Sequence, residues 1–154
     1  MTSDNTVSWK WSRLQDFNAR ELHDILAARQ GVFIVEQRCA YQDADDWDHT
    51  AWHLTGRTED TRLVVYLRVN PPGSRYAEPS IGRLLTVKAM RGKHLARIAL
   101  KLALEKCEKI YPKYAIRIAA QTYLETFYRQ FGFRAAGAPH DEDGIAHIDM
   151  IRPA

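Results

Sequence analysis

A long amphipathic stretch set between two strand-like runs constrains this chain more than any other feature. Over residues 92–109, Leu95, Ile98, Ala99 and Leu102 share one helical face, and Leu100, Leu104 and Cys107 widen the apolar stripe. Pro112 marks its end. The aliphatic run 80–87 precedes this helix and the run 114–120 follows it, so a helix covering a sheet is expected.

The remaining segments fit around that centre. A first helix should start near Asn18, whose side chain can cap it, with Glu21 completing a capping box. Leu22, Ile25, Leu26 and Phe33 follow at helical spacing, and Gln30 or Gly31 ends the element. Runs 51–56 and 62–69 read as strands, and the Pro/Gly-rich 70–79 as the loop leading to 80–87. Downstream, 122–130 reads as a short helix and 132–137 as a strand. Asp143-Gly144 signals a hairpin whose second arm is 145–151. Trp9 and Trp11 alternate as on one face of an N-terminal strand. One mixed sheet covered by helices, in a single domain of 154 residues, accounts for this order.

Composition narrows the function classes. With 45% hydrophobic and 27% charged residues the chain is that of a soluble globule, and no run approaches the roughly 20 apolar residues of a membrane span. The polar start, residues 1–8, lacks the pattern of an export signal, so a cytoplasmic location is expected. Two cysteines, Cys39 and Cys107, read as reduced core thiols, with neither a disulfide framework nor zinc-type spacing. A net charge of +3 is too small to imply nucleic acid, and neither nucleic acid nor membrane is an expected partner. Its distribution says more. Residues 83–117 hold ten Lys or Arg against two Glu, whereas 36–60 holds seven acids against two Arg. One half suits an anion, the other a cation.

The strand 81–87 runs through Arg91-Gly92-Lys93-His94-Leu95-Ala96 into a helix. The first N–H groups of a helix lack internal partners and carry the positive end of its dipole, so this junction suits phosphate. A plain turn with solvated lysines reads equally well from the loop alone. The segment resembles the coenzyme-A motif of GNAT acetyltransferases, Arg/Gln-x-x-Gly-x-Gly/Ala. Arg91 and Ala96 match its ends, and His94 stands at its central glycine. The run from Gln121 to Phe133 is similar to the family's Asn-x-x-Ala-x-x-Phe-Tyr-x-x-x-Gly-Phe, with Gln121 replacing asparagine. Four further segments, at 28–43, 81–83, 119–121 and 142–148, resemble the ElaA-like branch in order and spacing.

The resemblance implies a mixed, mostly antiparallel sheet of six to seven strands, splayed centrally and flanked by about four helices. It implies direct transfer of an acetyl group from acetyl-CoA to a primary amine, with no acyl-enzyme and no metal. The thioester would lie between the strands ending near Thr86 and Gln121. Backbone N–H groups at Leu84, Leu85 and Thr86 would hold its carbonyl oxygen, and Arg91, Gly92, Lys93, His94, Leu95 and Ala96 the pyrophosphate. Tyr128 would protonate the leaving thiolate, although a phenol at about 10 and a thiol at about 8.5 make that transfer not strongly downhill. Without the family, Tyr128 is an ordinary core aromatic. Glu36 is the expected base, with Asp43, Asp45 and His53 in reserve. Its competing role is a structural pair with Arg29 or Arg68. The run 140–149 looks metal-like, but its hairpin turn and solvated acids account for it. A CoA thioester and an amine are the expected partners, and a homodimer is left open. Two alternatives stand beside this reading: a degenerate GNAT-fold binding or interaction module, motivated by His94 and Gln121, and transfer of a longer acyl chain.

Overall fold

The computed structural model describes residues 6–154, so most of the polar start read against an export signal lies outside the described residues. Strands β1 (Ser8–Ser12), β2 (Trp52–Arg57), β3 (Leu63–Asn70), β4 (Ser80–Thr86), β5 (Ile116–Gln121), β6 (Arg134–Ala135), β7 (His140–Glu142) and β8 (Ile145–Arg152) form one sheet. Its order is β1-β2-β3-β4-β5-β8-β6, with β7 also paired to β8. Every pairing is antiparallel except β4 with β5, which the long crossover helix makes parallel.

That helix, α2 (Leu95–Ile110), buries Leu95, Ala99, Leu100, Ala103, Leu104 and Cys107 against the sheet. Each fully buried leucine contributes about 1.5–3 kcal/mol. Ile98, expected on the apolar face, lies beside that stripe and is 42% exposed. On the opposite face, α1 (Ala19–Arg29) packs Ile25 against Tyr66 and Leu85. Its capping box is present as expected: Asn18 Oδ1 accepts from the Glu21 N–H at 2.8 Å, and Glu21 Oε1 from the Asn18 N–H at 3.0 Å. The helix does not stop at Gly31. It widens into a π-helical segment, Gln30–Glu36, because Gly31 keeps a negative φ instead of the left-handed cap conformation.

The third helix, α3 (Glu125–Arg129), is short and begins with a 3-10 turn, Thr122–Leu124. The expected hairpin forms, with Asp143 at φ 53° and Gly144 at φ 84°. Cys39 and Cys107 are buried and unpaired with each other. No described helix is long and apolar enough to cross a membrane.

The acidic segment after the π-helical segment does not float. Arg29, 1% exposed, donates to Asp43 at 2.7 Å and to Asp48 at 2.8 Å. Arg68, 0% exposed, donates to Asp48 at 2.7 Å and binds both oxygens of Asp45 at 2.6 and 2.8 Å. Arg83 adds a 2.7 Å bond to Asp43. Burial alone would push the Asp48 carboxyl up, but the hydrogen bonds and charges of Arg29 and Arg68 outweigh it and hold it at about 2. A depressed carboxyl stabilises the fold above its unfolded pKa, and that contribution is lost as pH falls toward 2. Asp48→Asn leaves two arginines under-compensated in the interior, so unfolding at pH 7 should show a loss of roughly 3 kcal/mol. Thermal melts between about pH 4 and pH 2 should also show a shallower decline for the variant than for the parent.

Candidate active site

The site originates in a register fault. Tyr66 pairs with Leu85 and Arg68 with Gly82, so β4 spends one residue more than β3 across this interval. Arg83 takes up the excess at φ 53°, a left-handed conformation unusual for a non-glycine residue. The guanidinium bonds to Asp43 hold it there. Among the described residues, β4 and β5 then share a single paired position, Ser80 with Arg117, before they part. A crevice of about 240 Å³ opens between them.

Strand alternation decides what the open edge of β4 offers. The Val87 N–H donates to the Val64 carbonyl at 2.9 Å, so Leu85 turns its N–H toward β3 as well. Thr86, and Leu84 beside the bulge, turn theirs toward the gap. The Leu85 side chain packs with Ile25 and Tyr66 on the α1 face.

Leu84, Gln121 and Tyr128, all expected at the thioester, come together along the crevice. The Gln121 amide donates to Gln37 Oε1 at 3.1 Å, tying β5 to the end of the π-helical segment. Burial pushes the Tyr128 phenol up to about 12. It therefore keeps its proton at any working pH and is able to donate a hydrogen bond.

Thr86, Arg91, Gly92, His94, Leu95 and Ala96 line a second hollow at the start of α2, and Lys93 lies within the same loop. Phe127 borders this hollow while its neighbour Tyr128 borders the crevice, so α3 stands between the two. His94 is the N-cap of α2, at φ 61° and ψ 22°. The central-glycine position of the motif thus demands the left-handed backbone that glycine takes freely, and histidine occupies it under some strain.

Glu36, the expected base, lies elsewhere. Both of its oxygens accept from Arg91, at 2.6 and 2.9 Å, while Arg91 Nε donates to the Thr86 carbonyl at 2.9 Å. The hydrogen bonds from Arg91 hold the Glu36 carboxyl below its usual range, which weakens it as a proton acceptor. Its partner is thus Arg91, in place of the Arg29 or Arg68 considered from sequence. The reserve bases are also engaged: Asp43 and Asp45 by arginines, and His53 by Tyr66 Oη at 2.6 Å and the Asp48 carbonyl at 3.0 Å. Three acids of the acidic half, Asp43, Asp45 and Asp48, are neutralised internally by Arg29, Arg68 and Arg83.

Sequence reasoning missed the far wall. His147 lines the crevice from β8, opposite Gln121, and Trp47 and Arg75 line its outer part, the guanidinium 5.4 Å from the indole. The signal for His147 lay in alternation: buried Ile148 and Met150 face the core, which turns His147 and Asp149 to the other side.

Residues 27–152 match the family model described as an acetyltransferase (GNAT) domain. A UPF0039 protein of Synechocystis is 47% identical over 145 residues, covering 94% of each chain. The crystal structure of Escherichia coli ElaA superposes with a TM-score of 0.89 at 32% identity, covering 96% of this chain and 99% of that one. An acyl-CoA N-acyltransferase from Pseudomonas aeruginosa gives a TM-score of 0.89 at 31% identity with the same coverage. Family match, full-length relatives and splayed sheet agree, and the chain belongs to the GNAT acetyltransferase family, in company with ElaA.

Proposed function

We propose that the chain is an acetyl-CoA-dependent N-acetyltransferase that delivers the acetyl group directly to a primary amine, on a small molecule or a protein. The observation that carries this reading is the parting of β4 from β5 after Ser80, which leaves an unpaired strand edge beside a crevice holding Tyr128. The pantetheine arm fits that gap, since a strand edge with unspent N–H groups is what an extended amide chain can pair with. The acyl-CoA thioester supplies an activated carbonyl. The Leu84 and Thr86 N–H groups hold its oxygen, and the loop from Arg91 to Ala96 receives the pyrophosphate with the N-terminus of α2 behind it. Tyr128 donates a hydrogen bond to the departing sulfur. We read Glu36 as the residue that fixes Arg91 over the Thr86 carbonyl rather than as the base. Two buried free thiols suit work in the reducing cytoplasm.

Calorimetric titration with acetyl-CoA tests the reading first. Saturable binding, followed by thiol release with a panel of amines, is the expected result. Absence of binding heat and of any thermal shift would favour the degenerate module. Mass spectrometry of co-purified thioesters should find acetyl-CoA, and a longer acyl chain there would change the donor. His94→Gly relieves the left-handed strain and lets the backbone approach phosphate, so its acetyl-CoA affinity should rise roughly fivefold, about 1 kcal/mol. Tyr128→Phe should lower kcat by about 10²-fold while the acetyl-CoA Kd stays within about twofold. Equal losses in both would reduce Tyr128 to packing.

A further inference from the structure

We propose that His147 is the general base of this transfer, an assignment that rests on the reaction proposed above. His147 pairs with Gln121 across β8 and β5, at the end of β5 where the crevice opens, and lines that crevice together with Tyr128. Its Nδ1 lies 2.8 Å from the Ile145 carbonyl oxygen. A carbonyl only accepts, so Nδ1 carries the proton, and the neutral ring presents a bare lone pair at Nε2. Among the described residues nothing bonds to Nε2. The ring thus has the two features a base needs, a fixed tautomer and a free acceptor, on a residue that lines the cavity.

Most of the competing carboxylates lack the second feature. Arg91 holds Glu36, Arg68 and Arg83 hold Asp45, and Arg75 reaches Glu142 at 3.5 Å, so each would have to break an ion pair to accept a proton. Asp143 also lines the crevice, but it lies exposed at the hairpin turn, where water screens its charge and, among the described residues, no contact fixes its carboxylate.

An ammonium acceptor gives one proton to His147 Nε2, which uncovers the nitrogen lone pair. A bond forms between that nitrogen and the thioester carbon, the carbon–sulfur bond breaks, and sulfur leaves with the electron pair. The second nitrogen proton reaches sulfur by way of the Tyr128 hydroxyl, and the imidazolium returns its proton to water. The sum is ammonium plus acyl-CoA giving amide, free CoA thiol and one proton.

The test combines turnover, binding and tautomer. His147→Ala should lose at least about 10²-fold in kcat, keep its acetyl-CoA Kd within about twofold, and regain at least about tenfold of the lost rate with added imidazole. If the alanine variant does not melt cooperatively, His147→Gln, whose amide can keep the bond to Ile145, is read by the same division between kcat and Kd. Long-range proton–nitrogen correlation spectra of the parent should show the Nδ1–H tautomer at His147. A variant that turns over within about threefold of an active parent overturns the assignment and leaves the acyltransfer reading intact. Lost turnover that imidazole does not restore, in a folded alanine variant that still binds acetyl-CoA, assigns His147 to packing. An Nε2–H tautomer overturns the assignment whatever the rates. A parent that binds acetyl-CoA but acylates no amine in the panel sinks the acyltransfer reading, and this inference with it.

Discussion

The ion pairs joining Arg29, Asp43 and Arg83 hold the working parts of this molecule in register. Arg29 comes from the last turn of α1, Asp43 from the acidic segment and Arg83 from the bulge of β4, and one carboxylate touches both guanidinium groups. Arg68 and Asp48 extend the cluster beneath them. Three arginines and three aspartates leave the cluster neutral. Such a network adds little net stability over a well-packed apolar core, because desolvating each charge costs nearly what the pairing returns. Its effect is positional. Removing any one charge strands its partners in a poorly solvating interior, so the loop has one place to lie, and the left-handed backbone at Arg83 is retained.

From that fixed bulge the chemistry of the crevice follows. One extra residue in β4 turns the strand away from β5, and the parting exposes main-chain donors that a continuous sheet would have consumed. Cavity walls then arrive from separate parts of the chain: Tyr128 from α3, Gln121 from β5 and His147 from β8. A phenol and an imidazole thereby line one space. The π-helical segment serves the same end, since its wider turns carry Gln37 to Gln121 and Glu36 to Arg91. These two contacts brace the crevice on one side and the loop before α2 on the other.

Much of the architecture was legible from residue order, because its determinants are local. The capping box at Asn18 and Glu21, the stripe of α2 and the Asp143-Gly144 turn each depend on neighbours a few positions apart, and each formed where expected apart from Ile98 at the edge of the stripe. The family motifs pointed to Tyr128, Gln121 and the loop from Arg91 to Ala96, which lie along the crevice and the neighbouring hollow. Reading failed where a residue had a choice of distant partners. Glu36 and the acids of 43–48 looked alike as candidate bases, yet which arginine each meets depends on strand register and loop path, and those bring Arg91 to Glu36 and Arg68 to Asp45. Gly31 looked like a helix stop, but the chain beyond it was drawn onward by packing at Phe33 and by the bond from Gln121 to Gln37.

The sequence by itself determined a mixed sheet with an amphipathic crossover, a helix N-terminus behind a basic loop, and an aromatic hydroxyl at a set distance from a strand end. Periodicity, capping and turn chemistry act over short separations and survive projection onto a string of letters. Tertiary structure alone decided that β4 would part from β5, which carboxylates would be silenced by arginine, and which histidine would line the crevice. Those outcomes depend on burial and on charge pairs formed across dozens of residues, where free energy is set by where each group comes to rest in space.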